Sequence, residues 1–346
     1  MKAVMKHARE FGAVAVFDID MPAAPKGDEV LVKIYSAALC GSDIHAYEWI
    51  ESYRNFMHVP VVLGHEGSGI VEAVGENVTG FRVGDKVMGE SNIYCGTCRN
   101  CHLGLTHICD NNLMRGLTSL GVMCEYVIWS EKNLHHVPEK LSFAEGAASQ
   151  AVTISVHGVL SRINIKPGDK VLVSGVGIIG LGAAQLARAC GASVVMTGTD
   201  PDEESRIPMA KSMGFETFNC QKEDVAGGVI RRMGRKVDFA IDCSGAAPAF
   251  VSGLAATRKG GTMLLLGLPN KEVNFPFANA IRSEINLITS YTSNWDDYEK
   301  SLALIESGVL DIKPLLSTYT LDKAVQAFED AVSKVAVKPV LHFIVE

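Results

Sequence analysis

Two groups of residues have the types and spacing of metal ligands. Cys95, Cys98, Cys101 and Cys109 form the pattern C-x2-C-x2-C-x7-C. Four thiolates can close around one tetrahedral zinc at about 2.3 Å per bond, which leaves no position for a substrate. This motif therefore implies a structural metal and says nothing of catalysis. The second group is dispersed: Cys40-Gly41-Ser42-Asp43-Ile44-His45, then Gly64-His65-Glu66. A thiolate, an imidazole and a carboxylate are the ligand types of a catalytic zinc that keeps one position open. Ser42 could receive the proton of an alcohol bound there, and His45, which titrates near neutrality, could pass it to solvent. Asp43 could orient His65 by accepting its other ring N–H.

A third motif serves a nucleotide. Gly175-Val176-Gly177-Ile178-Ile179-Gly180 follows the apolar run Val171-Leu172-Val173-Ser174 and opens a helical pattern. In that setting G-x-G-x-x-G brings backbone and a helix N-terminus up to a pyrophosphate, so Gly175, Gly177, Ile178, Ile179 and Gly180 are candidate cofactor contacts. The end of the next strand reads Thr197-Gly198-Thr199-Asp200. An acid there holds the ribose hydroxyls of NAD, whereas a small residue leaves room for the extra phosphate of NADP, with Arg206 as its partner. The acidic run Asp200, Asp202, Glu203 and Glu204 would repel that phosphate, so Thr199 and Asp200 are read as NAD contacts and NAD(H) is favoured over NADP(H).

The elements that must carry these residues follow from texture. From Lys2 to Val137 short β-type runs (29–34, 69–74, 85–88, 125–128) are punctuated by glycine and proline, as in a compact β-rich domain. Residues 145–160 show helical spacing. Strands at 170–174, 193–196, 237–242 and 262–266 then alternate with helices at 181–189, 206–213 and 248–256, the rhythm of a parallel sheet wrapped by helices. Helices at 298–307 and 321–331 and a strand at 338–345 close the chain.

Composition narrows the partners. There are 39 acidic against 32 basic residues and a formal charge of −7, which argues against nucleic acid or an anionic membrane. No apolar run approaches the ~18–20 residues of a membrane span, and the first residues lack the apolar core of a signal peptide. Nine cysteines, an odd count with four of them clustered, fit a reducing compartment and not a disulfide framework. A cytoplasmic location is expected.

Together the three motifs resemble the zinc-dependent medium-chain dehydrogenases, the family of alcohol, sorbitol and threonine dehydrogenases. Gly64-His65-Glu66-Gly67-Ser68-Gly69, Val83-Gly84-Asp85-Lys86-Val87 and Lys166-Pro167-Gly168-Asp169 extend the resemblance end to end. It implies an α/β chain with a GroES-like catalytic domain at 1–153, including a structural-zinc lobe at 90–112. A Rossmann domain follows at 154–289, and the chain returns to the catalytic domain at 290–346. It also implies two zinc ions: a catalytic one at Cys40, His65 and Glu66, with Ser42 and His45 as proton relay, and a structural one at Cys95, Cys98, Cys101 and Cys109. Leu266, Gly267, Leu268, Ser290 and Tyr291 are expected at the nicotinamide end, and a homodimer or homotetramer is expected.

Three positions depart from the family pattern. Gln150 stands where members often carry a cysteine, glutamate or aspartate near the zinc, and could hold a zinc-bound water. Ser290 replaces the arginine of sorbitol dehydrogenases, and Asn92 the histidine of threonine dehydrogenases. The expected activity is hydride transfer between a secondary alcohol or polyol (sorbitol-like) and NAD(P). The alternatives are an L-threonine-type amino-alcohol dehydrogenase and a non-enzymatic nucleotide-binding protein on the same fold. Other polar and aromatic residues receive plainer readings. His102 and His107 are not needed by the four-cysteine site, His135-His136 reads as a solvated turn, and His157 as a packed histidine. Trp49, Tyr53, Met57 and His58 are read equally as a substrate wall or an exposed cap.

Overall fold

A computed structural model of the chain describes residues 1–344 and divides it into two units, Met1–Ala151 with Asn294–Glu346, and Val152–Ser293. The nucleotide-binding segment expected at 154–289 falls within the second. The last strand runs Lys338–His342, and Val345, where the sequence pattern would end it, lies outside the described residues.

The first unit is built on the strand Glu29–Ala38. Val30, Val32 and Ile34 alternate along it and are wholly buried, the period-two signature of a strand with one face on the core. Glu66–Val74 and Lys338–His342 flank it antiparallel, and Tyr126–Ser130 pairs with its first half. Lys86–Gly89 lies beyond Glu66–Val74, and Leu134–His136 beyond that. Leu316–Thr320 runs parallel to Lys338–His342 at the other side.

Register decides where the chemistry gathers. Ala38 faces both Glu66 and Val340, and Gly89 faces both Gly67 and Leu134. Cys40, Glu66, Lys338 and the Glu90-Ser91 pair therefore all emerge at one end of this sheet. Val71, Val87, Val127, Trp129 and Phe328 pack the apolar core beneath.

The second unit is a six-stranded, all-parallel sheet. Its order is Glu216–Asn219, Ser193–Gly198, Lys170–Ser174, Val237–Asp242, Thr257–Leu265, Asn286–Thr289, so the progression reverses at Lys170–Ser174. In open α/β sheets that reversal is where ligands bind, beyond the carboxyl ends of the strands. Leu172, Val195, Ala240 and Met263 fill one side of the sheet with Phe218, Val229 and Phe250. Among the described residues no helix is long and apolar enough to cross a membrane.

Candidate functional site

After Ala38 the chain turns into the helix Gly41–Glu48, with Cys40 as its extended N-cap. Asp43, in the first turn, accepts the backbone N–H of Cys40 at 2.9 Å through Oδ2 and that of Gly64 at 3.1 Å through Oδ1. This differs from the expected contact with the His65 ring. The carboxylate instead ties together the two backbone segments that carry the candidate ligands. Gly64 has φ +87°, a left-handed conformation that glycine adopts without a Cβ penalty, and a Cβ there would strike Met123.

The donor atoms of Cys40, His65 and Glu66 lie within 4.8 Å of one another. Ser42 Oγ stands 3.5 Å from His65 Nε2, and His45 follows one turn along the same helix. Burial lowers the pKa of His45 against the opposing pull of Glu48. His65 is buried, which alone would lower its pKa. The neighbouring Cys40 sulfur, with Asp43 and Glu66, outweighs this and raises it to about 9. Glu66 is raised by burial, opposed chiefly by Lys338.

Lys338 is a neighbour that sequence reasoning missed. Its Nζ meets Glu66 Oε2 at 2.5 Å and donates to the Leu39 carbonyl at 2.7 Å. Glu66 Oε1 remains buried with no hydrogen-bond partner. A half-buried cysteine, a buried imidazole and a buried carboxylate with an unpartnered oxygen, converging in this way, fit a divalent zinc ion.

Gln150 lies buried in the helix Phe143–Val156 at the same sheet end. Its Nε2 donates to Ser91 Oγ at 3.2 Å, and its amide also bonds the Tyr298 hydroxyl. The Ser91 N–H donates to that hydroxyl at 3.2 Å, so three neutral polar groups form one buried set. Burial pushes the Tyr298 phenol up to about 12. Behind Tyr298, His135 stacks at 5.0 Å with rings 6° apart. Its Nδ1 is 2.6 Å from Glu299 Oε1 and its Nε2 3.3 Å from Glu90 Oε1. The solvated turn read from the sequence describes exposed His136 but not His135, which is buried in the strand Leu134–His136.

Of the aromatic residues after the ligand helix, Trp49 is core, with the Lys6 ammonium over its ring at 5.2 Å. Tyr53 is half-buried, edge-on to His45 at 5.4 Å. Met57 belongs to the core and His58 is exposed.

The four-cysteine lobe is a compact thiol cage. Sγ separations are 3.5 Å for Cys98–Cys101 and Cys95–Cys109, 3.9 Å for Cys98–Cys109 and 4.0 Å for Cys95–Cys101. A tetrahedron with bonds of about 2.3 Å has edges near 3.8 Å, so the cage fits one zinc. All four are free thiols, and donors from Thr97 draw the Cys95 pKa down to about 5. His102 and His107 lie outside this ligand group.

In the second unit the helix Ile178–Ala189 begins at N-cap Gly177, directly beyond Lys170–Ser174. A Cβ on Gly180 would collide with the Gly175 carbonyl oxygen, whereas one on Gly177 would meet nothing within 4 Å. Gly180 therefore lets helix and loop close up, and Gly177 leaves bare backbone facing open space, as a pyrophosphate needs. Thr199 caps the next turn against Asp202, and Asp200 Oδ1 accepts Asn219 Nδ2 at 2.7 Å. Gly267, Leu268, Ser290 and Tyr291 line a largely apolar cavity of about 620 Å³, which Asp242 and Leu265, the last residues of the strands Val237–Asp242 and Thr257–Leu265, also line. Ser290 Oγ is buried without a hydrogen-bond partner. Leu266, expected with them, is not among the cavity residues and is buried close to Gly158.

Comparisons with known proteins agree with this anatomy. Residues 26–139 match the alcohol dehydrogenase GroES-like domain and residues 179–307 the zinc-binding dehydrogenase domain. L-threonine 3-dehydrogenase of Edwardsiella ictaluri is 35% identical over 335 residues, 95% of this chain and 96% of that protein. D-arabitol-phosphate dehydrogenase of Enterococcus avium is also 35% identical over 335 residues, 95% of this chain and 94% of that protein. The crystal structure of galactitol-1-phosphate dehydrogenase from Escherichia coli superposes with a TM-score of 0.88 at 27% identity, covering 99% of this chain and 100% of that one.

Proposed function

The chain belongs to the zinc-dependent medium-chain dehydrogenase family, and from that premise we propose that it oxidises a secondary alcohol of the polyol class, free or phosphorylated, with NAD in preference to NADP. The observation that carries the reading is the convergence of Cys40, His65 and Glu66 within 4.8 Å, with Ser42 Oγ against the His65 ring. When bound, a zinc ion supplies Lewis-acid polarisation of the substrate oxygen, and a nicotinamide supplies the hydride acceptor.

The protein's own residues do the rest. Cys40, His65 and Glu66 Oε1 would hold the metal, and metal binding would displace the proton that His65 otherwise retains. Ser42 takes the substrate hydroxyl proton, and His45, one helical turn on and half exposed, hands it to solvent. Burial lowers the His45 pKa against the pull of Glu48, which favours the neutral imidazole that can accept a proton. Gly175, Gly177 and the start of the helix at Ile178 receive the pyrophosphate, and Ser290 and Tyr291 border the nicotinamide end. Cys95, Cys98, Cys101 and Cys109 would hold a second, structural zinc.

The polyol assignment draws on the polyol-phosphate dehydrogenases among the relatives and on Gln150, Ser91 and Tyr298, neutral donors and acceptors at the same sheet end as the metal ligands. The preference for NAD draws on Asp200, Asp202 and Glu203, which crowd the end of Ser193–Gly198 with negative charge. A second reading, an amino-alcohol dehydrogenase acting on L-threonine, is favoured by the 35% identity to such an enzyme. Asn92 weighs against it, because its side-chain oxygen accepts Asn112 Nδ2 at 3.1 Å inside the fold.

The test is absorbance of the reduced nicotinamide on zinc-replete protein, across polyols, polyol phosphates, simple alcohols and L-threonine, with NAD and NADP in parallel. Turnover of a polyol with NAD supports the proposal. Turnover confined to L-threonine replaces it with the second reading. In the active pairing, Cys40→Ser and His65→Ala should abolish turnover while nucleotide binding, followed by fluorescence, persists.

A further inference from the structure

We propose that Lys338 is a positioning residue that sets the metal affinity of the Cys40–His65–Glu66 site by acting as the resident counter-cation of Glu66. The proposal rests on the reading of those three residues as metal ligands.

Glu66 is wholly buried, and an ionised carboxylate in that position needs a compensating charge. Lys338 supplies it from the first residue of the strand Lys338–His342, with a side chain only 3% exposed. Its ammonium forms an ion pair with Glu66 Oε2 at 2.5 Å and donates to the carbonyl of Leu39, the residue before Cys40, at 2.7 Å. One cation thus bridges the segments that carry two of the three ligands.

Two effects follow. The first is geometric. With Oε2 occupied, Glu66 presents the single oxygen Oε1, which is buried and without a hydrogen-bond partner. The second is electrostatic. A carboxylate already neutralised by an ammonium gives an incoming divalent cation less, and the ammonium repels that cation across low-dielectric protein. Other charge nearby does not substitute for Lys338. Asp43 is an anion and works against an ionised Glu66, and His65 is itself a candidate ligand. Lys338 therefore keeps the site assembled before metal arrives, and the same charge holds the metal affinity down.

The test is zinc titration of the metal-stripped, full-length protein against a chromophoric chelator. The variants are Lys338→Gln, which keeps donors for Leu39 and Glu66 but loses the charge, Lys338→Arg, Glu66→Gln and the double variant Lys338→Gln/Glu66→Gln. The four-thiolate site serves as internal reference. Lys338→Gln should bind zinc at the second site about tenfold or more tightly than wild type, with Lys338→Arg close to wild type. In the Glu66→Gln background the Lys338 substitution should gain less, because only the direct repulsion of the ion remains to be relieved. Unchanged or weaker binding by Lys338→Gln, or an equal change without Glu66, overturns the proposal. A single zinc per chain in every variant, held by the thiolates, overturns the underlying reading of the site as well. Should Lys338→Gln fail to fold, the same comparison is read from Lys338→Met, and a gain in affinity there carries the same meaning.

Discussion

Asp43 reaches across the ligand loop to take the Gly64 amide proton at 3.1 Å while its other oxygen holds the Cys40 amide at 2.9 Å. One side chain thus fixes the spacing of two ligand segments that are far apart in sequence. Asp43→Ala should leave the buried Gly64 amide and the part-buried Cys40 amide unpaired and let the segments separate. Zinc content should fall from two to one per chain on dialysis, with the thiolate zinc retained. Metal analysis checks this, and two tightly held ions in the variant would contradict it.

Cys95→Ser should produce the opposite loss. The four-cysteine cage closes a loop and offers no open position, so a zinc held there would contribute to folding and not to the chemical step. The melting temperature should drop by about 5 °C or more, while kcat of the surviving folded fraction stays close to wild type. Calorimetry with parallel turnover measurements separates the two quantities.

Gly177 and Gly180 belong to one motif but should fail differently. Gly180→Ala forces a methyl into the Gly175 carbonyl, so the second unit itself should be destabilised. Gly177→Ala has open space around its new methyl, so the protein should melt normally. Nucleotide affinity should nonetheless fall by about tenfold or more, because the methyl occupies the approach of the pyrophosphate. Normal nucleotide affinity in Gly177→Ala would show that the phosphates lie elsewhere.

His135 gives a pH signature. Burial would lower its pKa, but the carboxylates of Glu299 and Glu90 raise it above the ordinary value. A group whose folded pKa exceeds its unfolded value of about 6.5 contributes stability that is full below that pH and is lost as pH rises through the folded pKa. The melting-temperature gap between wild type and His135→Gln should therefore be wide near pH 6 and narrow near pH 9. An equal gap at both would mean that the imidazole acts by packing on Tyr298 alone.

The contrast between legible and hidden residues has a physical basis. Lys170–Ser174 and Val237–Asp242 could be read because a strand covered on both faces is a plain apolar run bounded by turn residues. The thiol cage could be read because its four ligands are local. The helix Gly41–Glu48 was hidden, since it opens on glycine and serine and carries little amphipathic pattern, although it bears Ser42, Asp43 and His45. Lys338 was hidden for a different reason. A lysine near the end of a chain has the default reading of a solvated charge, and only the register of Val340 with Ala38 brings it to Glu66. His135 was misread in the same way, because Glu90 and Glu299 come from elements remote in sequence.

The sheet end where Cys40, Glu66 and Lys338 meet also sets a timetable for biosynthesis. The strand that brings Lys338 is translated after Glu66 and after the whole of Val152–Ser293, which is continuous and can fold in the interval. Glu66 waits throughout that interval without its ammonium. The surroundings of Glu66 are thus completed only after an entire second unit has been made.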